Sequence, residues 1–126
     1  MSVGCSKGIS LEDVALETRV KLVTLSVGMS KQQVISLMGS EIHEFKNYRI
    51  INKPFRTSMY SKDGDTIEIY YYFTNVIRRD YFTDPKRDND ELTPLVFING
   101  KLDSWGWESW VEKAKRYDIN VNYKLN

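Results

Sequence analysis

The chain has 126 residues, 41% of them hydrophobic and 13% aromatic, and its 18 basic and 17 acidic side chains leave a net charge of +1. That length and apolar content suit one domain with one core and exclude a disordered chain. The balanced charge excludes bulk attraction to nucleic acid or to an anionic bilayer, no apolar run is long enough to span a membrane, and one cysteine cannot form a disulfide within the chain.

Residues 1–9 are polar and read as a flexible tether; 10–126 read as a single domain. Ser10-Leu11-Glu12-Asp13 has an N-cap serine with a carboxylate three residues on, so a helix is expected over 11–25. In Gly28 to Gly39, GMSKQQVISLMG, Ser30 is the next N-cap and Gln33 completes a capping box. Met29 can staple to Val34, and Gly39 stands where a helix ends with positive φ. Period-two alternation then begins. A strand is expected over 55–61, a turn at Asp63-Gly64 and a strand over 66–74. Ile67, Ile69, Tyr71 and Phe73 share one face of the second strand; Glu68, Tyr70 and Tyr72 share the other. A polar connection, 75–91, leads to a strand over 92–98, a turn at Asn99-Gly100 and a return strand over 101–107. Pro94 is expected near the start of that pair or on an edge. Trp107, Trp110, Val111, Ala114 and Tyr117 then recur at helical spacing, and the tail from Ile119 to Leu125 alternates again.

Two helices, four antiparallel strands and a C-terminal helix make an α+β fold, the N-terminal helices packed on the sheet. The face bearing Ile67 and Ile69 is expected to be covered. The face bearing Tyr70 and Tyr72 is expected to be partly open.

Cys5 has three readings: a small core hydrophobe, a catalytic nucleophile, or a lipid-attachment site. Val3-Gly4-Cys5 resembles the end of a bacterial lipobox, although Ser2 stands where leucine is usual. On that reading Cys5 is acylated and Met1 replaces most of a signal segment. An arbitrary cysteine in a mobile tail is the plain alternative.

GMSKQQVISLMG, an aromatic strand and then LVFINGKLDSWGW resemble the small outer-membrane lipoproteins of the SmpA/OmlA (BamE-like) family. The matching residues are Gly28, Met29, Ser30, Val34, Met38, Gly39, Phe97, Gly100 and Leu102. The resemblance implies helices on a short antiparallel sheet, as also seen in the repeat unit of the β-lactamase inhibitor protein. It implies an envelope lipoprotein at the periplasmic face of the outer membrane, non-enzymatic and acting as a protein-binding or scaffold module in outer-membrane maintenance or assembly. The strand at 55–61, the long charged connection and the WGWESW helix depart from the small members and point to a separate, uncharacterised branch. The alternative is a soluble inhibitor-like or ligand-binding domain without a lipid anchor.

No catalytic constellation is evident, and no cofactor or metal is expected. His43 and Cys5 cannot alone supply a zinc site, and DPKRDNDE (84–91) lacks the spacing and central glycine of a calcium loop. Tyr70, Tyr71 and Tyr72 beside Arg78 and Arg79 carry no RNA-binding motif, so no nucleic-acid partner is expected. The expected partners are an envelope protein and, through Cys5, the membrane. Candidate contacts are Tyr70, Tyr72 and the loop pair Tyr81 and Phe82, an aromatic anchor with a charged rim. Trp105 is either core or a partly exposed anchor.

Overall fold

The computed structural model describes residues 10–39, 42–45, 48–51, 54, 56–76, 89–121 and 123. Helix α1 spans Leu11–Leu22 and α2 spans Lys31–Met38. Both begin with complete capping boxes: Ser10 with Asp13, and Ser30 with Gln33. Each serine hydroxyl accepts from an amide that the first turn leaves without a helical partner. Gly39 ends α2 at φ 83° and ψ −177°, a region that side chains with a Cβ rarely adopt.

Four strands form the main sheet in the order β3 (Arg56–Lys62), β4 (Asp65–Phe73), β5 (Leu92–Ile98) and β6 (Lys101–Trp105), all antiparallel. Helix α3, Trp107–Arg116, follows directly. The fold is α+β with helices at both ends of the chain, as its order of periodicities predicts. Pro94 pairs with Tyr71, and its carbonyl accepts from the Gly106 amide. The β5–β6 ladder starts one residue later, at Leu95, so the missing proline N–H breaks no rung.

A second, two-stranded sheet was not expected. β1 (Ile42–Phe45) and β2 (Tyr48–Ile51) form a hairpin between α2 and β3. Its two connecting residues are Lys46 and Asn47. Asn47 favours turns, but no glycine or proline stands beside it, so the turn signal is weak. The alternating tail forms no strand among its described residues, and the expected return strand stops at Trp105 because Gly106, at φ 99°, turns the chain into α3. The first helix also ends earlier than expected, at Leu22, although Leu25 remains buried.

The sheet is covered on both faces. On one, Ile67, Ile69, Tyr71, Phe73 and Val96 pack against Trp110 and Ala114 of α3 and against Leu11, Val14 and Ala15 of α1. On the other, Tyr72, Leu95, Phe97 and Leu102 pack against Val34 and Met38 of α2 and against Leu22 and Leu25. The expectation of an open Tyr70/Tyr72 face is therefore corrected. Because α1 contributes to both clusters, α2 comes to lie against the face that β4's alternation had left unassigned.

Candidate functional site

The β3–β4 hairpin turns at Asp63 (φ 54°) and Gly64 (φ 83°), two consecutive left-handed residues of the kind a tight hairpin turn requires. This turn sets the register and places Arg56, Ser58 and Tyr60 opposite Tyr71, Ile69 and Ile67 on the α3 face. Between these residues, α3 and the segment after it lies a recess of about 220 Å³. Trp110 forms its buried wall, with the Tyr60 ring 6.0 Å from it, centroid to centroid. Asn89, Asn120 and Val121 complete the rim.

The rings around this recess are fixed by polar ties as well as packing. The Trp107 indole N–H donates to the backbone carbonyls of Asn89 (2.9 Å) and Leu92 (2.8 Å). Tyr123 stacks on the same indole at 4.2 Å and 9°, and Tyr71 meets it at 5.6 Å. The Arg56 guanidinium lies 4.4 Å above the Tyr71 ring and donates to the Asn89 side-chain carbonyl. Arg56 is the charged member of the described lining, which otherwise consists of aromatic rings, amides, Ser58 and Val121. Such a surface can stack, donate hydrogen bonds and neutralise an anion. Its described lining contains no carboxylate, histidine or cysteine that could serve as a general base.

A second polar cluster holds this architecture in place. Asp65 accepts from the Asn99 side-chain amide at 2.9 Å and from the Tyr117 hydroxyl at 2.7 Å, joining both hairpin turns to the end of α3. The hydrogen bond from Asn99, and then that from Tyr117, holds the Asp65 carboxyl below the usual carboxylate range. The same bond to Asp65 raises the Tyr117 phenol. On the α2 face Lys31 Nζ donates to Glu68 at 2.9 Å, and this hydrogen bond leads the rise in the lysine's pKa.

The residues singled out from sequence fall into three groups. Tyr70 and Trp105 are half-buried on the α2 face and come into one row with Leu95 between them. Tyr70 meets Phe97 edge-on at 5.2 Å. Tyr72 is corrected as a contact residue: it is 1% exposed, and its hydroxyl has no hydrogen-bond partner among the described residues. Cys5, Tyr81 and Phe82 lie outside the described residues, as do Arg78, Arg79 and Leu125. Among the described residues, no group of three or more metal-ligating side chains converges. Reading the sequence missed the recess altogether. Tyr60, Tyr71, Trp107 and Tyr123 each fit an ordinary packing pattern, and their meeting depends on how α3 crosses the sheet.

A family model described as "Protein of unknown function (DUF3192)" matches residues 6–112. No curated protein and no solved structure matches the chain.

Proposed function

The chain belongs to the DUF3192 family of proteins of unknown function, and on that premise we propose that it is a non-enzymatic protein-binding module of a bacterial cell envelope. The observation that carries the binding role is the recess beside β3. Tryptophan, tyrosine and arginine are the side chains that dominate protein recognition sites, and here all three converge on one surface cavity. Rigid rings tied by hydrogen bonds lose little conformational freedom when a partner binds. The envelope location rests on other grounds: the lipobox-like Val3-Gly4-Cys5, and the likeness of GMSKQQVISLMG and LVFINGKL to the SmpA/OmlA lipoproteins. A lipid at Cys5 would hold the domain at a membrane face through residues 6–9.

The reading is tested in cells expressing the complete natural gene product with a photo-crosslinking residue in place of Ser58, at the recess. The expected result is a discrete adduct with an envelope protein. It weakens when Arg56→Ala is added and moves to the soluble fraction with Cys5→Ser. If Ser58 yields no protein adduct, the binding role fails. If Cys5→Ser leaves the protein's fractionation unchanged, the lipid anchor fails and the soluble inhibitor-like reading takes its place.

A further inference from the structure

The two outer edges of the main sheet are treated differently. β6 is covered by the segment leading into α2. The Gly28 amide donates to Leu102 at 2.8 Å, the Leu102 amide to Met29 at 2.8 Å and the Lys31 amide to Gly100 at 2.9 Å. β3 is the other edge, and among the described residues β4 is its sole partner strand.

The hairpin turn identifies which groups β3 leaves free. A two-residue turn makes Lys62 and Asp65 a mutually hydrogen-bonded pair, and such pairs alternate along an antiparallel ladder. Arg56, Ser58, Tyr60 and Lys62 thus direct their backbone groups to β4, while Thr57, Met59 and Ser61 direct theirs outward. An independent bond agrees. Thr66, opposite Ser61, offers its carbonyl to the Asn99 amide at 2.8 Å, away from β3. Exposed edges are usually blunted by a proline, a bulge or an inward charge. Over Arg56–Lys62 there is neither proline nor break in register, the charged residues Arg56 and Lys62 stand at the two ends, and Met59 at the strand's centre is 63% exposed.

This free edge borders the recess. A strand added beside β3 would direct alternate side chains to the α3 face, next to Arg56, Ser58 and Tyr60. The charge there is the Arg56 guanidinium, whose contacts among the described residues are a neutral amide and a tyrosine ring. We propose that β3 accepts an extended segment of a partner protein as an added strand. The backbone of Thr57, Met59 and Ser61 makes the ladder, and an aspartate or glutamate of the segment enters the recess against Arg56. A second copy of this chain fits less well, because antiparallel pairing of two β3 strands sets Arg56 of one against Lys62 of the other. The inference rests on the protein-binding reading above and specifies its mode.

The probe is a synthetic library of eight-residue peptides with randomised positions, selected on the whole protein. Selected peptides are expected to share one acidic position. They should slow amide exchange at Thr57, Met59 and Ser61 by at least about tenfold, the ratio that about 1.4 kcal/mol of protection gives. Arg56→Gln should cost the acid-bearing peptides about tenfold in affinity and leave their neutral amide analogues unchanged. Met59→Pro removes an outward N–H and no β4 rung, so it should abolish binding with circular dichroism unchanged. Peptides N-methylated on the pairing edge give the same test on the wild-type protein. Selection without an acidic position, or binding that leaves the three amides unprotected, overturns strand addition while the binding module stands. Concentration-dependent protection without peptide overturns it in favour of self-pairing. No selected peptide, together with a Ser58 adduct in cells, overturns the extended-strand mode alone.

Discussion

The two faces of the sheet are closed by different chemistry. Against α2 the contacts are mainly aliphatic: Leu22, Leu25, Val34, Met38, Leu95 and Leu102 surround Phe97 and Tyr72. Branched and flexible side chains from a helix of 8 residues interdigitate and fill the space. Against α3 the outer part is aromatic, with Tyr60, Tyr71, Trp107, Trp110 and Tyr123 meeting at tilted and stacked angles. Flat rings held by their edges and faces tile less completely, and they leave a recess beside the edge strand β3. One sheet thus carries a closed face that secures the fold and an incompletely closed face on which the proposed binding rests.

The largest expected effects come from removing the central ring on each side. Trp110 and Phe97 are 1% and 0% exposed, and truncating either to alanine should cost about 3–5 kcal/mol in denaturant melts. The two variants should then part company. Trp110→Ala removes a wall of the recess and should abolish crosslinking from Ser58. Phe97→Ala, at similar stability, should retain it under conditions where both proteins stay folded. Equal loss of crosslinking in both would mean that the faces do not divide the work.

How far this division could be read from the sequence depends on the range of the interactions. Both N-terminal helix starts and both hairpin turns of the main sheet were legible, because a cap or a turn is decided by residues within four positions. Ser10 with Asp13 and Asp63 with Gly64 are such cases. The β1–β2 hairpin was not legible, since its strands are 4 residues each and Asn47, a turn-favouring residue, has no glycine beside it. The covering of Tyr72 was missed for another reason: alternation along β4 tells which residues share a face, not which helix lies on it. The recess is the least legible feature. Arg56 and Asn89 are 33 positions apart, and Tyr117 and Asp65 are 52 apart.

Smaller effects should follow from loosening α2 without touching the core. Gly39→Val forces a branched residue into φ 83°, ψ −177°, a conformation that costs about 1–3 kcal/mol. Ser30→Ala removes one cap bond and should cost about 1 kcal/mol. If α2 closes only its own face, both changes, made in a Trp105→Phe background so that Trp107 and Trp110 alone report, lower thermal stability and leave the fluorescence of the folded protein unchanged. A spectral change in the folded state would show that α2 also shapes the recess.

The smallest expected change at neutral pH sharpens the comparison most. Tyr72 lies inside the aliphatic face with its hydroxyl unpartnered among the described residues, whereas the indole of Trp107 on the other face has two acceptors. A buried donor without a partner is a cost, so Tyr72→Phe should be neutral or stabilise by about 1 kcal/mol. Burial first, and the neighbouring Tyr70 second, push the Tyr72 phenol well above its ordinary value of 10.0. Unfolding returns the phenol to water, where it ionises near pH 10 and draws the equilibrium toward the unfolded chain. Because the folded value is the higher one, the stability linked to this group is fully present below pH 10 and declines as pH rises above it. Tyr117 is raised in the same direction, first by its hydrogen bond to Asp65, and Tyr123 first by burial and then by its hydrogen bond to Asp90, so some alkaline sensitivity should survive in the variant. Denaturant melts of wild type and Tyr72→Phe between pH 8 and about 11 measure the difference. The curves should lie close together at the acid end and diverge above pH 10, with the phenylalanine form the more stable. Parallel curves would mean that Tyr72 keeps a water-accessible hydroxyl and that the α2 face is less tightly closed than the α3 face.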